Sequence, residues 1–204
     1  GEAQELAAGE GNTNRGSITY EGKDYTVKMV QQAFDYQDED FMKDNTIVDN
    51  MLKGANQVMV NNMASDFYAE AAKATLSQTG AISYDTIVDA IAKLNVEDES
   101  GLFIIITPEQ KAAIRKDVDY KAARMGEVVY NGQIGTVAGI PVIVSKAAGS
   151  AYVMSKEAIK LFMKKDLEIE QERNADTRTN SVYLRTAYLV ALVDATKICK
   201  ITAA

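Results

Sequence analysis

Residues 45–76 read NTIVDNMLKGANQVMVNNMASDFYAEAAKATL. Within them Ile47, Met51, Ala55, Val58, Met59, Met63, Phe67, Ala71 and Ala74 recur at helical spacing. That spacing places them on one face of an α-helix. At 1.5 Å per residue the predicted helix runs about 48 Å, long against a mean globular helix of about 11–12 residues. Met51, Met59 and Met63 have the adaptability of a binding groove. Their place in the stripe favours core packing instead.

The chain on either side reads differently. Residues 1–16 are rich in Gly, Ala, Glu and Asn and show no periodicity, which predicts a mobile segment. Ile18 and Tyr20, then Glu21-Gly22, then Tyr25, Val27 and Met29 alternate around a turn. This predicts a β-hairpin over residues 17–30 with little apolar bulk on either face, projecting from the body. The acidic run Asp35, Asp38, Glu39, Asp40 has the wrong spacing for a calcium loop. Its sixth and twelfth positions hold Asp40 and Thr46 where glycine and glutamate belong. A solvated approach to a helix N-terminus accounts for it.

Downstream, Ser83 caps a predicted helix carrying Ile87, Ala90, Ile91 and Leu94. Leu102 to Ile106 reads as a buried strand, and Thr107-Pro108-Glu109-Gln110 as a capping box with proline at the first helical position. Asn131-Gly132 signals a hairpin turn after Val128-Val129-Tyr130. Gly135, Gly139 and Pro141 punctuate the next strands, and Val142-Ile143-Val144 reads as buried. Tyr152-Val153-Met154 continues this α/β lobe. Then Leu167, Ile169 and Gln171 alternate with Glu168, Glu170 and Glu172, and Val182, Leu184 and Thr186 alternate again. This predicts a long hairpin over 165–186, its polar tip at Ala175-Asp176-Thr177-Arg178. Strand-like runs at Tyr188 to Val193 and Ile198 to Ile201 close the chain.

Composition excludes several chemistries. The 204 residues are 47% apolar and 25% charged, enough for a real core. No apolar run reaches the roughly 18 residues of a membrane span. Histidine is absent, which removes histidine-based nucleophile pairs and histidine-ligated zinc. The one cysteine, Cys199, reads as a buried structural thiol. The net charge is −7, and residues 1–40 hold nine acids against three bases. No basic stripe remains to grip phosphates. Residues Gly16 to Asp24 resemble a phosphate loop, but five residues separate the glycines and aspartate stands where the hydroxyl belongs. No Ser-x-x-Lys or Gly-x-Ser-x-Gly pattern occurs. Glu168, Glu170 and Glu172, with Lys164, Lys165 and Arg173 nearby, read as a solvated face or as inter-subunit ion pairs rather than paired catalytic carboxylates.

The order of elements and the segment Ile134-Gly135-Thr136-Val137-Ala138-Gly139-Ile140-Pro141-Val142-Ile143-Val144-Ser145 carry a resemblance. With Ala151-Tyr152-Val153-Met154, Glu157-Ala158-Ile159 and the late hairpin, the chain resembles the tailed-bacteriophage major capsid proteins of the Hong Kong 97 fold. The resemblance implies an α+β fold with a long spine helix. Residues 1–30 would be the extended loop that reaches over a neighbour, opening at Gly1 where the family's N-terminal arm would precede it. Residues 31–76 and 160–186 would form a peripheral domain, and 77–159 and 187–204 an axial α/β domain. It implies a structural subunit of an icosahedral shell, self-assembling into hexamers and pentamers around packaged DNA. Scaffolding protein, portal and maturation protease would be partners. No cofactor, metal, catalysis, sequence-specific nucleic-acid binding or membrane is implied, and the place of function is the virion, assembled in the host cytoplasm. Candidate subunit contacts are Arg15, Tyr20, Tyr25, Glu168, Glu170, Arg173, Asp176 and Arg178. The alternatives are an encapsulin-type nanocompartment shell, which shares the fold, and, more distantly, a carboxylate-dependent enzyme. A tail-tube subunit belongs to a β-rich class that the long helix argues against.

Overall fold

The computed structural model describes residues 5, 8–9, 22, 24–117 and 135–202. It is an α+β fold with two sheets joined by one long helix, in line with the expected class. Strands β1 (Lys28–Gln37), β8 (Thr179–Leu192) and β7 (Ile159–Asn174) make a three-stranded antiparallel sheet in the order β1-β8-β7. Strands β2 (Leu76–Thr79), β3 (Leu102–Ile106), β4 (Thr136–Val137), β5 (Ile140–Val144), β6 (Ala151–Ser155) and β9 (Ile198–Thr202) make a mixed sheet in the order β2-β9-β6-β3-β5-β4. The helices are α1 (Asp38–Lys43), α2 (Ile47–Ala71), α3 (Tyr84–Leu94) and α4 (Pro108–Lys116).

The mixed sheet is covered on both faces, so its central strands are apolar throughout. On one face Leu102, Ile104, Ile106, Val153, Cys199 and Ile201 meet Ile87, Ala90, Ile91 and Leu94 of α3 and Ile114 of α4. On the other, Ile105, Tyr152, Met154 and Ile198 meet Ala71 at the end of α2 and Tyr188 and Val190 of β8. The two sheets therefore share a core, and α2 spans the junction. Both predicted caps form. The Ser83 hydroxyl accepts from the Thr86 N–H. Thr107 Oγ1 accepts from the Gln110 N–H at 3.2 Å, while Gln110 Oε1 accepts from the Thr107 N–H at 2.9 Å. Cys199 is fully buried, as read, and burial pushes its thiol up.

Four expectations need correction. The long helix has 25 residues, about 37 Å, and stops at Ala71. Leu76 to Thr79 leave the helix to pair in parallel with β9, where Leu76 lies opposite Cys199 and joins the core. Val58, assigned to the buried stripe, is exposed, because the contact face runs through Ala55 and Met59. The alternation at Tyr25, Val27 and Met29 does not mark the strand. Residues 24–27 are irregular, β1 begins at Lys28, and its inward row is Val30, Gln32, Phe34 and Tyr36, one residue out of phase. The preceding arm, with Ile18 and Tyr20, lies outside the described residues, as do nearly all of residues 1–16 and the Asn131-Gly132 turn. Val142-Ile143-Val144 is not buried as a block: Ile143 and Val144 are exposed, because β5 has only short β4 outside it.

The late hairpin has its turn at 175–178, where the sequence placed it, but its strands extend to 159 and 192. Between Gly135 and Pro141 a second turn appears. Ala138 and Gly139 have φ of 51° and 81° between the paired residues Val137 and Ile140, the two left-handed positions of a type I′ hairpin.

Candidate subunit-contact surface

The three-stranded sheet is half covered. Even-numbered residues of β1 and β8 face α2: Phe34, Tyr36, Val182 and Leu184 enclose Leu52 and Ala55. Deeper in the junction, buried Tyr188 donates its hydroxyl to Asp66 Oδ2 at 2.6 Å and accepts from Asn62 Nδ2 at 2.9 Å. Lys28 pairs with the same Asp66 and lies 5.3 Å from the Tyr188 ring centroid. Burial first, then the Asp66 bond, pushes the Tyr188 phenol up to about 12. Asn62 and Asp66 stand one helical turn apart, so one face of α2 is fixed to β8 by polar as well as apolar contacts. Glu70 accepts the Leu192 N–H at 3.3 Å.

Strand β7 is left bare. The helix α2 lies over β8 and β1 and only grazes β7. Leu161, Phe162, Met163, Leu167 and Ile169 are 44–55% exposed on a 16-residue strand at the sheet's edge. A long edge strand with exposed apolar side chains is a docking or aggregation surface unless something covers it. Beside it, Val60, Met63, Ala64 and Phe67 of α2 face Ile159, Leu161 and Val190 across an apolar groove. Two irregularities, between Met163 and Lys165 and between Lys165 and Glu168, interrupt the pairing with β8. Each shifts the side-chain phase. Lys165 therefore points with Ala187 to the face away from α2, between Met163 and Ile169, which point towards it.

The hairpin tip is fastened to α1. Asp38 receives Arg173 at 2.7 Å and Asn180 Nδ2 at 2.7 Å. These bonds, Arg173 first, hold its carboxyl below the ordinary carboxylate range. The Asp38 N–H donates to the Arg178 carbonyl at 3.1 Å, and the Arg178 side chain pairs with Glu39 at 2.8 Å. The acidic run thus does lead into a helix N-terminus, and it also locks the tip.

The family model for the phage capsid protein matches residues 20–201. The chain belongs to the phage capsid protein family. Over 119 residues it is 31% identical to the major capsid protein of Staphylococcus phage phiMR11, a match taking in 55% of this chain and 43% of that protein's length. Among solved structures, the fold is similar to a chain from Mycobacterium phage Che8, at a TM-score of 0.74 and 14% identity, covering 86% of this chain and 70% of that one. It is also similar to the capsid structure of cyanophage P-SCSP1u, at a TM-score of 0.74 and 12% identity, covering 96% and 81%. The resemblance read from element order is therefore the right family and the right fold.

For this capsid-family chain, the structure gathers some of the sequence-derived contact residues and separates others. Glu168, Glu170 and Glu172 do share one face of β7, the face away from α2, opposite Arg185, Tyr183 and Ser181. Glu168 pairs with Lys165, and Glu170 with Arg185 at 2.8 Å, all within the chain. Arg173 and Arg178 serve the tip lock. Asp176 lies at the tip, its N–H held by Asn174 Oδ1 at 3.0 Å. Tyr25 is exposed at the far end of the sheet, ahead of β1. Arg15 and Tyr20 lie outside the described residues. Sequence reasoning missed the bare row on β7 and the Tyr188–Asp66–Asn62 cluster. Leu161, Phe162 and Met163 form a visible apolar triplet, but only the position of α2 shows that they stay uncovered. No described helix is long and apolar enough to cross a membrane. Among the described residues, no three acidic, cysteine or histidine side chains gather as metal ligands would.

Proposed function

We propose that this chain is a structural subunit of an icosahedral phage shell, self-assembling into hexamers and pentamers around packaged DNA within the virion, with no catalytic step of its own. The observation that carries the reading is the bare β7 strand, whose large apolar side chains stay in water unless a neighbour covers them. Burying five such side chains stabilises a contact at about 25 cal/mol per Å² of apolar surface removed from water, before the entropic cost of association. Family membership supports the same part. In this reading residues 1–30 are the extended loop over a neighbour, 31–76 with 160–186 the peripheral domain, and 77–159 with 187–204 the axial domain. Arg15, Tyr20, Tyr25, Glu168, Glu170, Arg173, Asp176 and Arg178 stand near subunit boundaries. Scaffolding protein, portal and maturation protease are the partners such a shell requires, and the bacterial cytoplasm is where it assembles.

The test is expression of the protein followed by sedimentation and electron microscopy. Rings, capsomers or closed shells are the expected result. Monomers at every concentration and ionic strength, with or without co-expressed neighbouring genes, would overturn the reading.

A further inference from the structure

Strand β7 carries its charges in two blocks. Its register with β8 puts Lys160, Phe162, Lys165, Glu168, Glu170 and Glu172 on one face, opposite the odd-numbered residues from Ala191 to Ser181. The basic residues fill the half nearer Ile159 and the acidic ones the half nearer the tip. Arg173, beyond them, is committed to Asp38. On the other face, beside α2, Leu161, Met163 and Ile169 are exposed. Among the described residues Lys164 and Glu172 make no ion pair. Lys160 acts on Glu157, which is already paired with Lys197. Charge along an edge strand ordinarily keeps other strands away. Here the blocks oppose only a parallel copy, which would set lysine against lysine and glutamate against glutamate. An antiparallel copy sets opposite charges side by side.

We propose that β7 pairs antiparallel with β7 of a second copy of this chain, about a two-fold axis near Asp166, joining two three-stranded sheets into one of six strands. The inference rests on the shell-subunit reading and names the contact within it. Lys160 then opposes Glu172 and Phe162 opposes Glu170 on one face. Leu161 opposes Gln171 and Met163 opposes Ile169 on the other. The two Asp166 carboxylates meet near the axis, among Lys164 and Lys165 of both copies. That centre falls in the irregular stretch between Met163 and Glu168, so the ladder forms on either side of it. An axis normal to the sheet keeps both α2 helices on one side of it. Each lies over β8 and β1, so the two stand roughly 14–19 Å apart at about 4.8 Å per strand. Packed helices approach to about 8–10 Å, so the pair does not clash. The cleft between them is where Leu161, Met163 and Ile169 of both copies meet. Such a contact is isologous and closes at two subunits. It joins two rings rather than building one.

The test is disulfide trapping, with Cys199 buried and out of reach. Met163→Cys and Ile169→Cys alter exposed side chains. These positions lie opposite Tyr188 and Leu184 of β8, roughly 14 Å apart at about 3.4 Å per residue, too far for a disulfide within one chain. Oxidised alone, neither single variant should link. The two mixed before assembly should give linked dimers, and the double variant should also stop at dimers. In the double-cysteine background, Lys160→Glu or Glu172→Lys turns two attractive exposed pairs repulsive and should cut linking about tenfold. Mixing those two charge variants should restore it. Absence of linked dimers, in shells or out of them, would overturn this inference, and shells that form without them would leave the shell reading standing. Ladders longer than dimers, a single variant linking to itself, or linking indifferent to charge reversal would also overturn it. Linked dimers that never build a shell would keep the pairing and remove the shell reading.

Discussion

Tyr188 is the residue on which the helix–sheet junction turns. Its ring is buried, and its hydroxyl serves both Asp66 and Asn62. Tyr188→Phe removes both hydrogen bonds, while Asp66 keeps Lys28, a loss of about 1–3 kcal/mol, or several degrees of melting temperature in a chain of this size. The pH dependence has a definite sign. A phenol that ionises less readily folded than unfolded contributes stability that is whole below pH 10.0 and lost as pH rises towards about 12. The melting curves of the protein and of Tyr188→Phe should therefore converge in alkali, as calorimetry can show; parallel curves would contradict the junction as described. Asp38 behaves oppositely. Its carboxyl is easier to ionise folded, so its contribution is present at neutral pH and fades as pH falls below 3.8. Asp38→Asn should melt below the native protein at pH 6 and match it near pH 2. The sequence displayed Asp38 as part of an acidic run. It could not display Arg173 and Asn180, which stand 135 and 142 residues away.

At the scale of elements, local signals were legible and long-range ones were not. The α3 helix could be read from Ser83 and four apolar positions because cap and stripe lie within twelve residues of one another. The hairpin tip at 175–178 could be read because polar turn residues interrupt two alternating runs. The end of α2 could not, because Leu76 is claimed by Cys199 of β9, far along the chain. The phase of β1 was misread for the same reason: its inward face is chosen by α2 and β8, not by its own weak alternation. Within α2, Gly54 has open space where a Cβ would project. No packing requires glycine there, and an interior glycine costs a helix about 0.5–1 kcal/mol relative to alanine. Gly54→Ala is expected to stabilise the fold by about that amount, seen as a higher unfolding midpoint in urea at an unchanged slope; a lower midpoint would show a close neighbour absent from the fold described.

At the scale of the whole molecule, the uncovered apolar surface is concentrated on one of the two sheets. A spine helix covers two of three strands, and the third is left with apolar side chains in water. The mixed sheet is covered on both faces, by α3 and α4 on one and by the end of α2 with β8 on the other, whereas the three-stranded sheet is covered on one face only. The family and its fold were legible because element order survives where individual residues do not, as the 12–14% identity to structures of the same shape shows. The contact surface was less legible, because whether Leu161 or Ile169 is covered depends on where α2 stops, and that is a tertiary fact. The central claim is that β7 is bare in the subunit and covered in the assembly. Amide hydrogen exchange over Ile159–Asn174, compared between dissociated subunits and assembled particles, tests it directly. The account predicts marked slowing across that strand on assembly, while the α3 helix stays unchanged. Equal exchange of β7 in both states would contradict it.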